Sequence, residues 1–190
     1  MAPEHGSHGH IHDEACQIAH GDRPVPAIDR RLVLAFVSPV AHELAELAQR
    51  LGWTVVVIEP ESRRMDDDPI PYVRQVTTAE LAGIDEGTDV VVCDHDRPEL
   101  GDVLAGVLTQ PTRWVGIMGS LRHTAPHLAA LRERGVNETD IARVHRPIGL
   151  DIGSKSPAEI ALSTLAGLLA DRNGRSGGAF RPPVDTPAPT

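Results

Sequence analysis

Three stretches of this 190-residue chain carry residues whose types and spacing suit chemistry. Residues 147–161 combine Gly149 and Gly153 with Lys155 and a helix-start signature in Ser156, Pro157 and Glu159. A glycine turn feeding a helix N-terminus presents unpaired N–H groups and the positive end of the helix dipole. That arrangement suits a phosphate or a carboxylate. The same residues also satisfy a capped core helix that binds nothing. The second stretch, Gly116-Ile117-Met118-Gly119-Ser120 followed by Arg122 and His123, offers small residues, a hydroxyl and two cations to an oxyanion. The third is Cys93-Asp94-His95-Asp96-Arg97. Here His95, flanked by two carboxylates, could act in acid/base work, bind a metal or orient a ligand. Cys93 becomes a nucleophile if a neighbouring imidazolium lowers its pKa, and is otherwise a small buried hydrophobe. Asp94 or Asp96 is alternatively a cap for the next helix.

Two further places invite a ligand and argue against it. A dinucleotide-binding turn after a first strand needs Gly-x-Gly-x-x-Gly, whereas this chain has Phe36-Val37-Ser38-Pro39-Val40-Ala41. A side chain at the close-approach position and a proline without its N–H obstruct a pyrophosphate, so ordinary NAD(P) binding is not expected there. Glu59, 23 positions after Phe36, is placed either to hold a ribose hydroxyl or to be an exposed acid at a strand end, and without the glycines the exposed acid is favoured. At the N-terminus His8, His10 and His12 alternate, with Asp13, Glu14 and Cys16 close behind. That spacing suits transient zinc, nickel or copper binding and has no zinc-finger pattern, so a solvated tail is the plainer reading.

The elements that must position these groups are read from periodicity. Apolar runs at Leu32–Val37, Trp53–Ile58, Val73–Val76, Asp89–Cys93 and Trp114–Met118 predict five strands. Between them, Pro39 opens a helix with Val40, Leu44, Leu47, Ala48 and Leu51 on one face, and Gly52 ends it. Further helices are expected over Pro98–Leu108, over Leu121–Arg134 with a start as late as Thr124, and as a short capped turn from Asn137 through Val144. Residues 60–71 read as a polar loop, and Thr78–Gly83 as a brief helical turn. The last helix runs from the Ser156 cap to about Ala170. Strands alternating with helices indicate an α/β fold with a doubly wound, mostly parallel sheet. Residues 1–28 read as a His-rich arm without fixed structure, 29–171 as one domain, and 172–190 as a disordered tail.

Composition excludes several functions. A net charge of -9 argues against nucleic acid and anionic membranes as partners. The N-terminus has no basic start followed by an apolar stretch, so no signal peptide is read and a cytoplasmic location is expected. Cys16 and Cys93 lie too far apart in character to suggest a structural disulfide. Charge is also uneven. Residues 1–110 hold 8 Lys+Arg against 20 Asp+Glu, while residues 111–157 hold 7 against 4. The one net-positive part therefore runs into the capped helix, which is compatible with an anionic ligand there.

Val115-Gly116-Ile117-Met118-Gly119-Ser120, then His145 to Gly153, then Ser156-Pro157-Ala158-Glu159-Ile160-Ala161 closely resemble the C-terminal Rossmann-like domain of the XdhC/CoxI family. His95-Asp96 is similar to that family's His-Asp at the end of the middle strand. The resemblance spans residues 31–171 and implies an accessory protein for molybdenum hydroxylases such as xanthine dehydrogenase and carbon monoxide dehydrogenase. It implies molybdenum cofactor, a polyanionic pterin, as the ligand, with Gly119, Ser120, Asp151, Gly153 and Ser156 lining the pocket; Arg122 and Gly149 join them as binding candidates. Catalytic roles for Cys93, His95 and Asp96 are weaker expectations. The implied partners are a molybdenum hydroxylase apo-enzyme or a cofactor sulfurase, with a homodimer left open. Two things depart from the family: its first-strand Gly-Ala-Gly-His-Val-Ala is replaced here, and only the His-rich arm precedes residue 31. The alternatives kept are a nucleotide-dependent oxidoreductase with a degenerate first glycine loop, and a metal-buffering assembly protein.

Overall fold

Six parallel strands form one sheet covered by helices on both faces, and the four central strands are apolar and buried almost throughout. The computed structural model describes residues 14–24, 29–119 and 125–179. In chain order the elements are α1 (Glu14–Ala19), β1 (Arg31–Ala35), α2 (Pro39–Arg50), β2 (Thr54–Ile58), α3 (Ser62–Asp67) and β3 (Arg74–Val76). A 3-10 turn at Glu80–Ala82 leads to β4 (Thr88–Val92), α4 (Leu100–Leu108) and β5 (Trp114–Ile117). Then come α5 (Pro126–Glu133), α6 (Glu138–Ile141), β6 (Val144–His145) and α7 (Pro157–Arg172). The sheet order is β3-β2-β1-β4-β5-β6, and every pairing is parallel. This is the doubly wound order that reverses direction between β1 and β4.

Successive strand residues point to opposite faces, so each strand feeds two cores. Val33, Ala35, Val90, Val92, Val115 and Ile117 pack on one face against Leu104 and Val107 of α4 and Leu131 of α5. Leu32, Leu34, Val55, Val57 and Val91 pack on the other against Leu44 and Ala48 of α2 and Leu165 and Leu168 of α7. On α2 the buried face is Ala41, Leu44, Ala45 and Ala48. Leu51, expected on that face, is 53% exposed because it is the residue that ends the helix.

Three local expectations are corrected. The polar stretch 60–71 contains α3, which buries no residue and so leaves no apolar period to read. Residues through Val144 do not continue the short helix; Val144–His145 pair with Val115–Gly116 as a sixth strand. Glu14–Ala19, within the arm read as lacking fixed structure, are helical, again with no buried residue. Among the described residues no helix is long and apolar enough to cross a membrane.

The two ends of α7 are held independently. At its start Ser156 Oγ accepts the Glu159 N–H, and the Glu159 carboxylate accepts the N–H groups of Ser156 and Lys155. At its last turn Arg172 donates to the fully buried Asp89 of β4 at 2.6 Å, and Arg113 donates to the other oxygen at 2.5 Å. A buried carboxylate needs such paired donors to stay charged. The helix is thereby registered along the sheet, and its first turns lie over the carboxyl ends of β4 and β5.

Candidate functional site

Ligands of doubly wound folds sit beyond the carboxyl ends of the strands, where strand order reverses. Here that region comprises the loops after β1, β4, β5 and β6. The loop after β1 is closed by the protein itself. Phe36 is fully buried and holds φ 74°, a left-handed conformation in which glycine is the usual residue. Val37 donates its N–H to Glu59 Oε2 at 3.1 Å, and Ser38 Oγ caps α2 by accepting the Ala41 N–H at 3.2 Å.

Glu59 is fully buried, which corrects the expectation of an exposed acid. Its Oε1 accepts from the Glu61 N–H and from Arg64, both at 3.3 Å, and the Arg97 guanidinium lies 4.0 Å from Oε2. Arg97 also donates to the Val37 carbonyl at 2.8 Å and sits over the Phe36 ring. Three protein donors hold the carboxylate, and its full burial keeps it out of reach of a ribose hydroxyl. The residues of this turn do not fit a dinucleotide.

Beyond β4, Cys93 is 8% exposed, with its thiol directed at the Val91 carbonyl at 3.7 Å. Burial, and then the Asp94 charge, push the thiol far above the ordinary cysteine range, which disfavours the thiolate. Asp94 caps no helix. Its two oxygens accept the Asp96 N–H at 3.0 Å and the Arg97 Nε–H at 2.8 Å. His95 and Asp96 approach only to 3.7 Å, and the Asp96 side chain is 86% exposed.

The loops after β5 and β6 meet. Gly149 has φ 87° and lies against α7, where an added Cβ would fall 2.6 Å from Ser163 Oγ and 3.1 Å from the Thr164 backbone nitrogen. Two hydrogen bonds fasten the loop there: Leu150 N–H donates to the Ser163 carbonyl, and Ser163 Oγ–H donates to the Leu150 carbonyl at 2.6 Å. Gly153 also has a positive φ, 69°, but faces open space. Only a residue without Cβ takes both positions freely, one for lack of room and one for backbone conformation.

Between these loops lies a cavity of ≈ 900 Å³. Cys93, Asp94, His95, Met118 and Gly119 form one side; residues 147–154 form the other; Val40, Ile160, Ser163 and Thr164 complete it. The structure therefore brings Cys93, His95, Gly119, Gly149, Asp151 and Gly153 together. Asp96 and Ser156 are not in the lining, and Ser156 is engaged in capping α7. Ser120, Arg122, His8, His10 and His12 lie outside the described residues. No three His, Cys, Asp or Glu among the described residues are grouped to hold a metal ion. A second cavity, of ≈ 700 Å³, is lined by Arg31, Thr54 and Arg74 at the opposite, amino ends of the strands.

The lining is mostly apolar, with Met118, Pro147, Ile148, Leu150 and Ile152 among its walls. It includes two acids and one histidine among the described residues, and no lysine or arginine. Arg146 lies beside the Gly119 end, its Nε 2.7 Å from where a Cβ added at Gly119 would stand. Reading the sequence did not single out Arg146, Ser163 or Thr164. The last two left a signal, a polar pair between apolar turns of α7.

Comparison with known proteins bears on the same residues. The sequence model of the XdhC Rossmann domain matches residues 32–168. Escherichia coli K12 protein YqeB is 32% identical over 169 residues, which is 86% of this chain and 30% of that protein. A probable xanthine dehydrogenase subunit from Bacillus subtilis 168 is 25% identical over 149 residues, 75% of this chain and 43% of that one. The crystal structure of a xanthine dehydrogenase from Bacillus halodurans superposes with TM-score 0.60 at 21% identity, covering 80% of this chain and 45% of that one. The shared fold is what that structural likeness shows. The chain spans less than half the length of each of these relatives.

Proposed function

We propose a function from one premise: the chain belongs to the XdhC Rossmann-domain family. It serves a molybdenum hydroxylase of the xanthine dehydrogenase type as an accessory protein. It binds molybdenum cofactor in the cavity between the β5 and β6 loops and passes it to the apo-enzyme. The observation that carries this reading is the meeting of those two glycine-bearing loops around one space of ≈ 900 Å³. Small-molecule sites are commonly concave, largely apolar and about 300–1,000 Å³, with a few placed polar groups.

The apolar walls and one acceptor of the cavity suit the ring of a pterin. Met118, Ile148 and Ile160 supply apolar surface for a flat ring, Asp151 supplies an acceptor, and the Gly119 end lies beside Arg146. When bound, the cofactor supplies the redox chemistry of the client enzyme; this chain's residues bind, orient and shield it. The name of the Bacillus subtilis relative supports a xanthine dehydrogenase-type client. The competing oxidoreductase reading loses its support with Glu59 buried and paired.

Isothermal titration of the full chain with isolated molybdopterin tests the reading. A one-to-one complex at micromolar protein is expected, and absence of heat under those conditions contradicts it.

A further inference from the structure

Two acids line the cavity, and they differ in what they hold. Of the two acids that line it, Asp94 has both oxygens engaged by Asp96 and Arg97. Asp151 makes no hydrogen bond or ion pair to any described residue. It stands on the β6 loop between Gly149 and Gly153, where the loop is pinned to α7 through Leu150 and Ser163. The position is therefore held by the fold while the side chain is engaged by no described residue. An ionised carboxylate only accepts, through about four lone-pair sites. A bare acid at the rim of an apolar cavity is matched by a ligand edge that presents N–H donors and is opposed by a phosphate.

We propose that Asp151 recognises the donor edge of a 2-amino-4-oxopyrimidine ring, the ring common to pterins and guanine, and so fixes which end of the ligand enters. The ring N–H and the exocyclic amine stand side by side on that edge and match the two carboxylate oxygens. Adenine has no such paired donors on its pyrimidine ring. The anionic end of the ligand is then directed away from Asp151, toward the Gly119 side of the cavity. This assignment of the ring rests on the reading of the cavity as a pterin site, but its test can fail separately.

The experiment is calorimetric titration of the full chain and of Asp151→Asn with molybdopterin, GMP and AMP. Hydrogen bonds to a charged group are strong enough that losing them weakens binding roughly 10- to 100-fold. The expected result is binding of molybdopterin and GMP but not AMP by the wild-type chain. The Asn variant should lose roughly 10- to 100-fold in both and keep its melting temperature, since Asp151 is exposed and holds no other described residue. Equal molybdopterin affinity in the two proteins, or AMP binding as well as GMP, overturns the role of Asp151 and leaves the pterin reading standing. GMP binding through Asp151 without molybdopterin binding keeps the ring recognition and overturns the pterin reading. Binding of neither overturns both.

Discussion

Glu59 Oε2 accepts the Val37 N–H at 3.1 Å, so a carboxylate of the protein occupies the turn after β1 where a dinucleotide fold would receive a pyrophosphate. The acid is buried with two arginines around it. Truncating one member of a buried, paired charge cluster leaves the others uncompensated and costs about 3–5 kcal/mol. Glu59→Ala should accordingly lower unfolding free energy by about that amount in urea titration, and Glu59→Gln by less. Neither variant, nor Phe36→Gly, should gain NADH binding, because the remaining turn still lacks the glycine pattern.

Gly149 and Gly153 look alike in sequence and should behave differently. Gly149→Ala forces a Cβ against Ser163 and the Thr164 backbone, so a stability loss of about 1–3 kcal/mol is expected by thermal melting. Gly153→Ala meets open space and pays for positive φ alone, about 1 kcal/mol. Ser156→Ala should destabilise by about 1 kcal/mol through the lost cap and leave molybdopterin affinity unchanged.

Burial, and then the Asp94 charge, raise the Cys93 thiol well above the ordinary cysteine range, whereas Cys16 is half-buried. With a thiol-reactive disulfide reagent at pH 8, the native chain should release one equivalent quickly and the second only on unfolding. Two fast equivalents would show that Cys93 is accessible as a thiolate.

His127, on α5, is 3% exposed, and its Nδ1 has no hydrogen-bond partner among the described residues. Burial, then the nearby Arg146 charge, hold the imidazole below its ordinary range. The unfolded chain therefore takes up a proton that the folded chain refuses. Stability from this residue is complete above about pH 6.5 and is lost as pH falls through the ordinary imidazole range toward the lower folded value. Melting temperature should drop between pH 7 and 5, and His127→Leu should flatten that part of the profile.

How much of this was legible in sequence differs by residue. The parallel α/β class showed plainly, because strands buried on both faces read as unbroken Val and Leu runs. The Ser156–Glu159 capping box was equally plain, since it is local. Strand β6 was hidden: two residues, Val144 and His145, are too few for any period, and only β5 beside them makes them a strand. The burial of Glu59 was hidden because one arginine partner comes from α3 and the other from beyond β4. Within the site, glycines marked the loops, but the carboxylate character of the lining depends on which side chains the fold turns inward. Ser156, the most conspicuous site candidate in sequence, caps α7 and is not among the residues lining the cavity.

The most direct test of the central claim is mass spectrometry of the small molecules that copurify with the chain from cells that make molybdenum cofactor. The wild-type protein should carry a pterin in near-stoichiometric amount, and Ser154→Trp, which places a large ring in the cavity lining, should carry none. A wild-type protein devoid of pterin, or an equal load on the Trp variant, would contradict the cavity between the β5 and β6 loops as the binding site.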